Sequence, residues 1–219
     1  MAQKSQPSNG KWVVLAIVAA IATALLVAVV VGGGDEGSDT TNSLPGGDVL
    51  AKENQSVVIE GTILEPLGDE AIDPMVGQVA PTLNGATFDG SGVSVTPGDG
   101  QAYMVVFLAH WCPHCNREVP RLIEWQASGA VPSELQVVGV STAVASDRPN
   151  YPPSQWAVDK GWTWPMMADS TSKEAAEAYG VSGYPFFVIV GADGEVKVRV
   201  SGEVEIPALT QIVSDALAD

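Results

Sequence analysis

Cys112 and Cys115 are the only cysteines of the 219-residue chain, and they stand within Ala109-His110-Trp111-Cys112-Pro113-His114-Cys115, directly after an apolar run. A Cys-x-x-Cys pair at the mouth of a helix can close a disulfide within one turn. The first sulfur then sits at the helix N-terminus, where unpaired backbone N–H groups and the helix dipole favour a thiolate. A thiolate is the species that attacks another disulfide, so the spacing points to redox exchange. Structural zinc commonly takes four Cys or His ligands in two separated pairs, and no second pair exists here. A disulfide closing so short a loop would constrain little of the unfolded chain. The reading from a different class is a metal-binding module, in which His110, Cys112, His114 and Cys115 hold copper or zinc. The only two histidines of the chain lie in this segment.

Position depends on the flanking elements. Met104-Val105-Val106-Phe107-Leu108 is a continuous apolar run of the buried parallel-strand type. The reactive segment follows it, and 116–128 reads as a helix with Leu122, Ile123 and Trp125 toward the core. A second buried strand is expected at 135–140, and a short helix at 154–160 behind Pro152-Pro153. The segment 170–179 reads as a helix with Ser/Thr capping and Gly180 as its stop. Residues 185–190 and 195–201 read as a hairpin through Ala192-Asp193-Gly194, and Pro207 opens a terminal helix to Ala218. Val93 to Val95 is a further short strand. Alternating strands and helices imply an α/β sheet with helices on both faces.

Ahead of this domain the chain divides by composition. Residues 1–11 carry Lys4 and Lys11, and Trp12 to Val31 contains no charge. Twenty such residues in a helix span ~30 Å, the thickness of a bilayer's hydrocarbon core. Residues 12–31 are therefore expected to be a single transmembrane anchor rather than a cleaved signal, whose apolar core is shorter, ~7–15 residues. No acidic residue precedes Asp35, which places the N-terminus in the cytoplasm and the remainder outside. Residues 32–55 read as a flexible linker, 56–76 as an N-terminal extension with a short strand near Val57 to Leu64, and 77–219 as the main domain. A net charge of −16 repels nucleic acid and anionic headgroups. Two cysteines in an exported chain of this size argue against a disulfide scaffold.

Three separated motifs carry a resemblance. Gly77-Gln78-Val79-Ala80-Pro81-Thr82-Leu83 resembles the opening of redoxin domains. Phe107 to Cys115, continued by Glu118-Val119-Pro120, resembles the strand-to-helix active site of thioredoxins. Tyr179-Gly180-Val181-Ser182-Gly183-Tyr184-Pro185-Phe186 resembles the loop that delivers their cis-proline. In order and spacing the chain from Gly77 onward resembles the thioredoxin superfamily, and within it the membrane-tethered TlpA-like branch with its ResA-type and cytochrome c maturation members. The resemblance implies a thioredoxin-like fold, a central mixed sheet with helices on both faces.

The resemblance also implies roles. Cys112 would be the exposed nucleophile and Cys115 the buried resolving thiol. Pro185, if cis, would present the backbone of Tyr184 to a substrate segment. The Pro113-His114 pair resembles that of the oxidising DsbA, and the His114 imidazole would stabilise a Cys112 thiolate and raise the reduction potential. The branch, in contrast, is a reducing one. Glu118, one turn after Cys115, is placed to move protons for the resolving thiol, with a plain surface glutamate as the other reading. Trp111 is expected to wall the disulfide, and Trp156, Trp162 and Trp164 to pack in the core or loops. Val106 stands where thioredoxins bury an acid, so any proton relay must come from elsewhere. Val105 and Ala109 stand where the Pro and Thr of a peroxidatic Pro-x-x-x-Thr-x-x-Cys segment would fall.

These readings together predict a thiol-disulfide oxidoreductase of a bacterial-type cell membrane, with no cofactor beyond the Cys112–Cys115 disulfide. Its partners would be cysteine-containing exported proteins and a membrane redox partner, either a thiol carrier or a regenerating oxidant, and no nucleic acid.

Overall fold

A computed structural model describes residues 52–218. Eight strands run in chain order: β1 (Val58–Glu60), β2 (Thr82–Ala86), β3 (Gly92–Val95), β4 (Ala102–Leu108), β5 (Leu135–Ser141), β6 (Met166–Ala168), β7 (Phe186–Val190) and β8 (Val196–Ser201). Four helices are interleaved: α1 (Pro113–Ala127), α2 (Pro153–Asp159), α3 (Glu174–Ala178) and α4 (Ile206–Ala218). The expected anchor at 12–31 lies outside the described residues. Among the described residues no helix is long and apolar enough to cross a membrane.

The main sheet has five strands in the order β6-β5-β4-β7-β8. It is mixed: β4 pairs with β5 and β5 with β6 in parallel, whereas β7 runs antiparallel to both β4 and β8. Every residue of β4 is buried, as its unbroken apolar run requires of a central strand. Its side chains alternate between two cores. Met104, Val106 and Leu108 join Leu122, Trp125, Trp156, Leu209 and Val213, so α1, α2 and α4 cover one face. Tyr103, Val105 and Phe107 point the other way, toward Ala175, Ala178, Leu83 and Val95. That second face is covered by α3 together with a small antiparallel sheet in the order β1-β2-β3.

Three expectations need correction. The tether does not extend through 55: the Lys52 N–H donates to the Phe88 carbonyl at 2.7 Å, Ser154 donates to Glu53, and the Gln55 side chain donates to the Thr87 carbonyl at 2.6 Å. The helix expected over 170–179 is confined to Glu174–Ala178. The expected serine does serve its head, Ser170 Oγ accepting the Glu174 N–H at 3.1 Å, and the buried Asp169 carboxylate joins it by accepting the N–H groups of Ala175 and Ala176 at 2.9 and 3.3 Å, while Lys173 turns left-handed at φ 62° before the helix starts. Finally, the reactive helix begins at Pro113 rather than 116, so His114 and Cys115 lie within its first turn.

The extension at 56–76 is held against the second face. Arg199 of β8 reaches it with a guanidinium that donates to both oxygens of Asp73, at 2.6 and 2.8 Å, and to the carbonyl of Glu65 at 2.7 Å. This hydrogen-bonded guanidinium beside Asp73 holds its carboxyl below the usual carboxylate range.

Candidate active site

Register decides which loops meet. Because β4 and β7 are antiparallel, with Phe107 opposite Phe186, the end of β4 faces the start of β7. The loop 109–112 is thereby set against Tyr184-Pro185. Parallel pairing brings the ends of β5 and β6 to the same edge, with Leu108 opposite Ser141 and Ser141 opposite Ala168. The Cys112 sulfur stands 3.4 Å from the carbonyl oxygen of Tyr184, and the Tyr184–Pro185 bond is cis.

Cys112 occupies the N-cap of α1 in extended backbone, with no side chain bonded into the cap. The first turn of the helix contains no acidic residue, so nothing there competes with a negative sulfur for the helix dipole. Both thiols are free. Cys112 is less exposed than expected, retaining 6% of its surface against none for Cys115. The backbone N–H of Ala109 points at the Cys115 sulfur from 3.5 Å. Burial, which outweighs that contact, pushes the Cys115 thiol far above the ordinary thiol range, and Cys112 and Glu118 nearby add to the effect. Burial thus favours the protonated form of Cys115.

Glu118 is not a surface glutamate. It is completely buried, accepts the Val204 N–H at 3.3 Å and lies 3.3 Å from Arg121. Desolvation raises its carboxyl above the usual range despite those two partners. A buried acid thus approaches Cys115 from within α1, whereas β4 supplies none at Val106.

His114 does not turn to Cys112. Its Nδ1 lies 2.6 Å from the Glu203 carboxylate and 2.9 Å from Nη2 of Arg117. Glu203, in the connection between β8 and α4, also accepts from Arg117 at 2.6 Å and from Arg121 at 2.9 Å. Arg117 first and His114 next pull its carboxyl down to about 2.

Trp111 packs against the same core as the dithiol and donates its indole N–H to the Ala143 carbonyl at 2.8 Å. Its ring meets Tyr184 edge-on at 6.2 Å and carries Arg148 over its face at 5.5 Å. Of the remaining tryptophans, Trp156 is buried, and Trp162 and Trp164 pack on each other at 5.2 Å.

The metal module is not assembled. His110 Nε2 accepts the Ala145 N–H at 3.2 Å, which leaves Nδ1 as the donor to the Pro149 carbonyl at 2.8 Å. Both ring nitrogens are therefore committed, and among the described residues no three His, Cys, Asp or Glu side chains are grouped to hold a metal ion.

Asn116 belongs to no motif of the sequence. Its side-chain amide donates to the carbonyls of His110 and Cys112, both at 2.9 Å, and its oxygen accepts the Trp156 indole N–H at 3.0 Å. It fastens the reactive loop to the inserted helix α2. A polar residue directly after Cys115 is the only local signal. Glu203 is missed for a different reason: it reaches α1 through the chain's return from β8, which no local pattern shows.

Comparison with known proteins agrees with this geometry. The thiol-disulfide oxidoreductase ResA of Geobacillus thermodenitrificans is 27% identical over 131 residues, covering 58% of this chain and 70% of that protein. Mouse nucleoredoxin is 24% identical over 144 residues, 65% of this chain but only 30% of nucleoredoxin. A crystal structure of a thioredoxin-family thiol:disulfide interchange protein from Chlorobium tepidum superposes with a TM-score of 0.52 at 27% identity, covering 63% of this chain and 94% of that one. Residues 76–199 match the model of the AhpC/TSA family. The chain belongs to the AhpC/TSA family, on a thioredoxin-like fold.

Proposed function

We propose that the protein is a thiol-disulfide oxidoreductase that exchanges disulfides with cysteines of exported proteins. The observation that carries the reading is the pairing of Cys112, at a helix N-terminus 3.4 Å from the Tyr184 carbonyl, with a fully buried, proton-retaining Cys115. Cys112, as thiolate, attacks one sulfur of a client disulfide, forming a mixed disulfide and releasing a client thiolate. Cys115 then gives its proton to the Glu118 carboxylate and attacks the Cys112 sulfur. The mixed disulfide breaks, the second client thiolate leaves, and the Cys112–Cys115 disulfide forms. Two electrons have passed to the client. The reverse sequence oxidises a client dithiol, and the reduction potential decides the direction.

The cis Tyr184-Pro185 loop lies where an extended client segment can pair beside Cys112. The uncharged run from Trp12 to Val31 supports a membrane anchor with the catalytic domain outside the cytoplasm, and a membrane thiol carrier or oxidant would reset the couple. Service in cytochrome c maturation belongs to the same reading. A peroxidase reading lacks its residues at Val105 and Ala109.

The test is turnover of a peptide disulfide by the reduced chain. Wild-type protein is expected to reduce the peptide stoichiometrically, and Cys112→Ser to leave it intact while remaining folded. Reduction by the folded Cys112→Ser variant would overturn the reading. Extraction of the full chain from membranes by detergent but not by carbonate would support the anchor.

A further inference from the structure

His114 stands three and four residues before Arg117 and Glu118, and Arg121 four and three residues after them, so the four line one side of α1. Glu203 closes that face from outside the helix. Its two oxygens take Nε of Arg117 at 3.1 and 3.2 Å, Nη2 of Arg117 at 2.6 Å, Nη1 of Arg121 at 2.9 Å and His114 Nδ1 at 2.6 Å. The single Nδ1 atom cannot donate to Glu203 and accept from Arg117 at once. In either state it is committed to this cluster. Glu203 keeps a fifth of its side-chain surface and Arg117 about half, so the cluster sits at the edge of solvent on the helix that Cys112 caps.

We propose that Glu203 is a positioning residue that sets the reduction potential of the Cys112/Cys115 couple, by holding the His114 ring and the Arg117 guanidinium on its own carboxylate. The inference rests on the reading of these cysteines as an exchanging pair. Its physics is a difference of charge between two states. Reduction of the disulfide by two electrons leaves negative charge on Cys112 once that thiol loses its proton, whereas the disulfide carries none. Positive charge next to Cys112 favours the reduced form and makes the protein a stronger oxidant. His114 and Arg117 are the first basic residues that α1 carries after Cys112. The hydrogen bond to Glu203 holds the Arg117 proton more tightly, with Cys112 a smaller contributor in the same direction. With Glu203 in place that charge is neutralised, and the couple is poised as a reductant in spite of its Pro-His dipeptide.

The experiment equilibrates the full chain with glutathione buffers and reads the thiol fraction of the pair in wild type, Glu203→Gln, Arg117→Gln and the double variant. Glu203→Gln preserves size and one acceptor oxygen, and it is expected to shift the exchange constant at least about tenfold toward the reduced protein, or ~30 mV upward. Arg117→Gln is expected to shift it the opposite way, and the double variant to lie near wild type. An exchange constant within about twofold of wild type for Glu203→Gln, or a double variant that keeps the full Glu203→Gln shift, would overturn the inference. If Glu203→Gln fails to fold, a wild-type constant in Arg117→Gln overturns it alone. Should wild type itself show no glutathione-dependent couple, the exchange reading fails instead, and the two failures are distinct.

Discussion

The ring of His114 meets the carboxylate of Glu203 at 2.6 Å, and the same carboxylate reaches Arg121 at 2.9 Å. A histidine between two cysteines therefore does not act alone. Its partner is supplied by a distant part of the chain, and the chemistry of the dipeptide depends on that partner. His114→Ala should change the exchange constant with glutathione by less than about threefold, or ~14 mV, because its ring is held by Glu203 and Arg117. Equilibration against glutathione checks this, and a fall of tenfold or more would show that His114 acts directly on Cys112.

Glu118 is predicted to act in the second half of the exchange. Glu118→Gln should slow resolution of the mixed disulfide by at least about tenfold and leave the first attack unchanged, since acid–base groups contribute ~10²–10⁴ when they are well placed. Stopped-flow measurement of client release separates the two steps. The same carboxyl also marks stability. Its folded value is raised by burial above the usual 4.5, so its contribution is complete below that pH and lost as pH rises through the folded value. Urea melts across this range should show the loss in wild type and not in Glu118→Gln.

Arg199 pins the 56–76 segment through Asp73 and the Glu65 carbonyl. Arg199→Ala leaves the half-buried Asp73 carboxylate without its cation, and about 1–3 kcal/mol of stability should be lost. Limited proteolysis should then cut within 65–76 before the rest of the domain. The pair also gives an acid limb. Because the folded value of Asp73 lies below the usual 3.8, its stabilisation is present above that pH and disappears as pH falls through the lowered value. Denaturation curves of Asp73→Asn should lack that limb.

Much of this fold is visible in local patterns. Met104 to Leu108 is apolar at every position because a central strand is covered on both faces, and the order of motifs from Gly77 to Phe186 carries the thioredoxin-like arrangement. The dithiol and Pro185 announce themselves by residue type. What stays hidden depends on tertiary return. The burial of Glu118 follows from Val204 closing over it, and the state of His114 follows from Glu203, both on the connection after β8. Helix α3 is shorter than its composition suggests because Ser170 and the buried Asp169, at the end of β6, accept the N–H groups of Glu174 and Ala175 and so fix its start there. Asn116 gains its role only when α2 folds back to offer the Trp156 indole.

The most direct test of the exchange mechanism is trapping. Cys115→Ser, reduced and mixed with a disulfide-bonded peptide, is predicted to accumulate one mixed disulfide per chain, with peptide mapping by mass spectrometry placing it on Cys112. Absence of any adduct in the folded variant, with Cys112 recovered as free thiol, would contradict the assignment of Cys112 as the attacking sulfur.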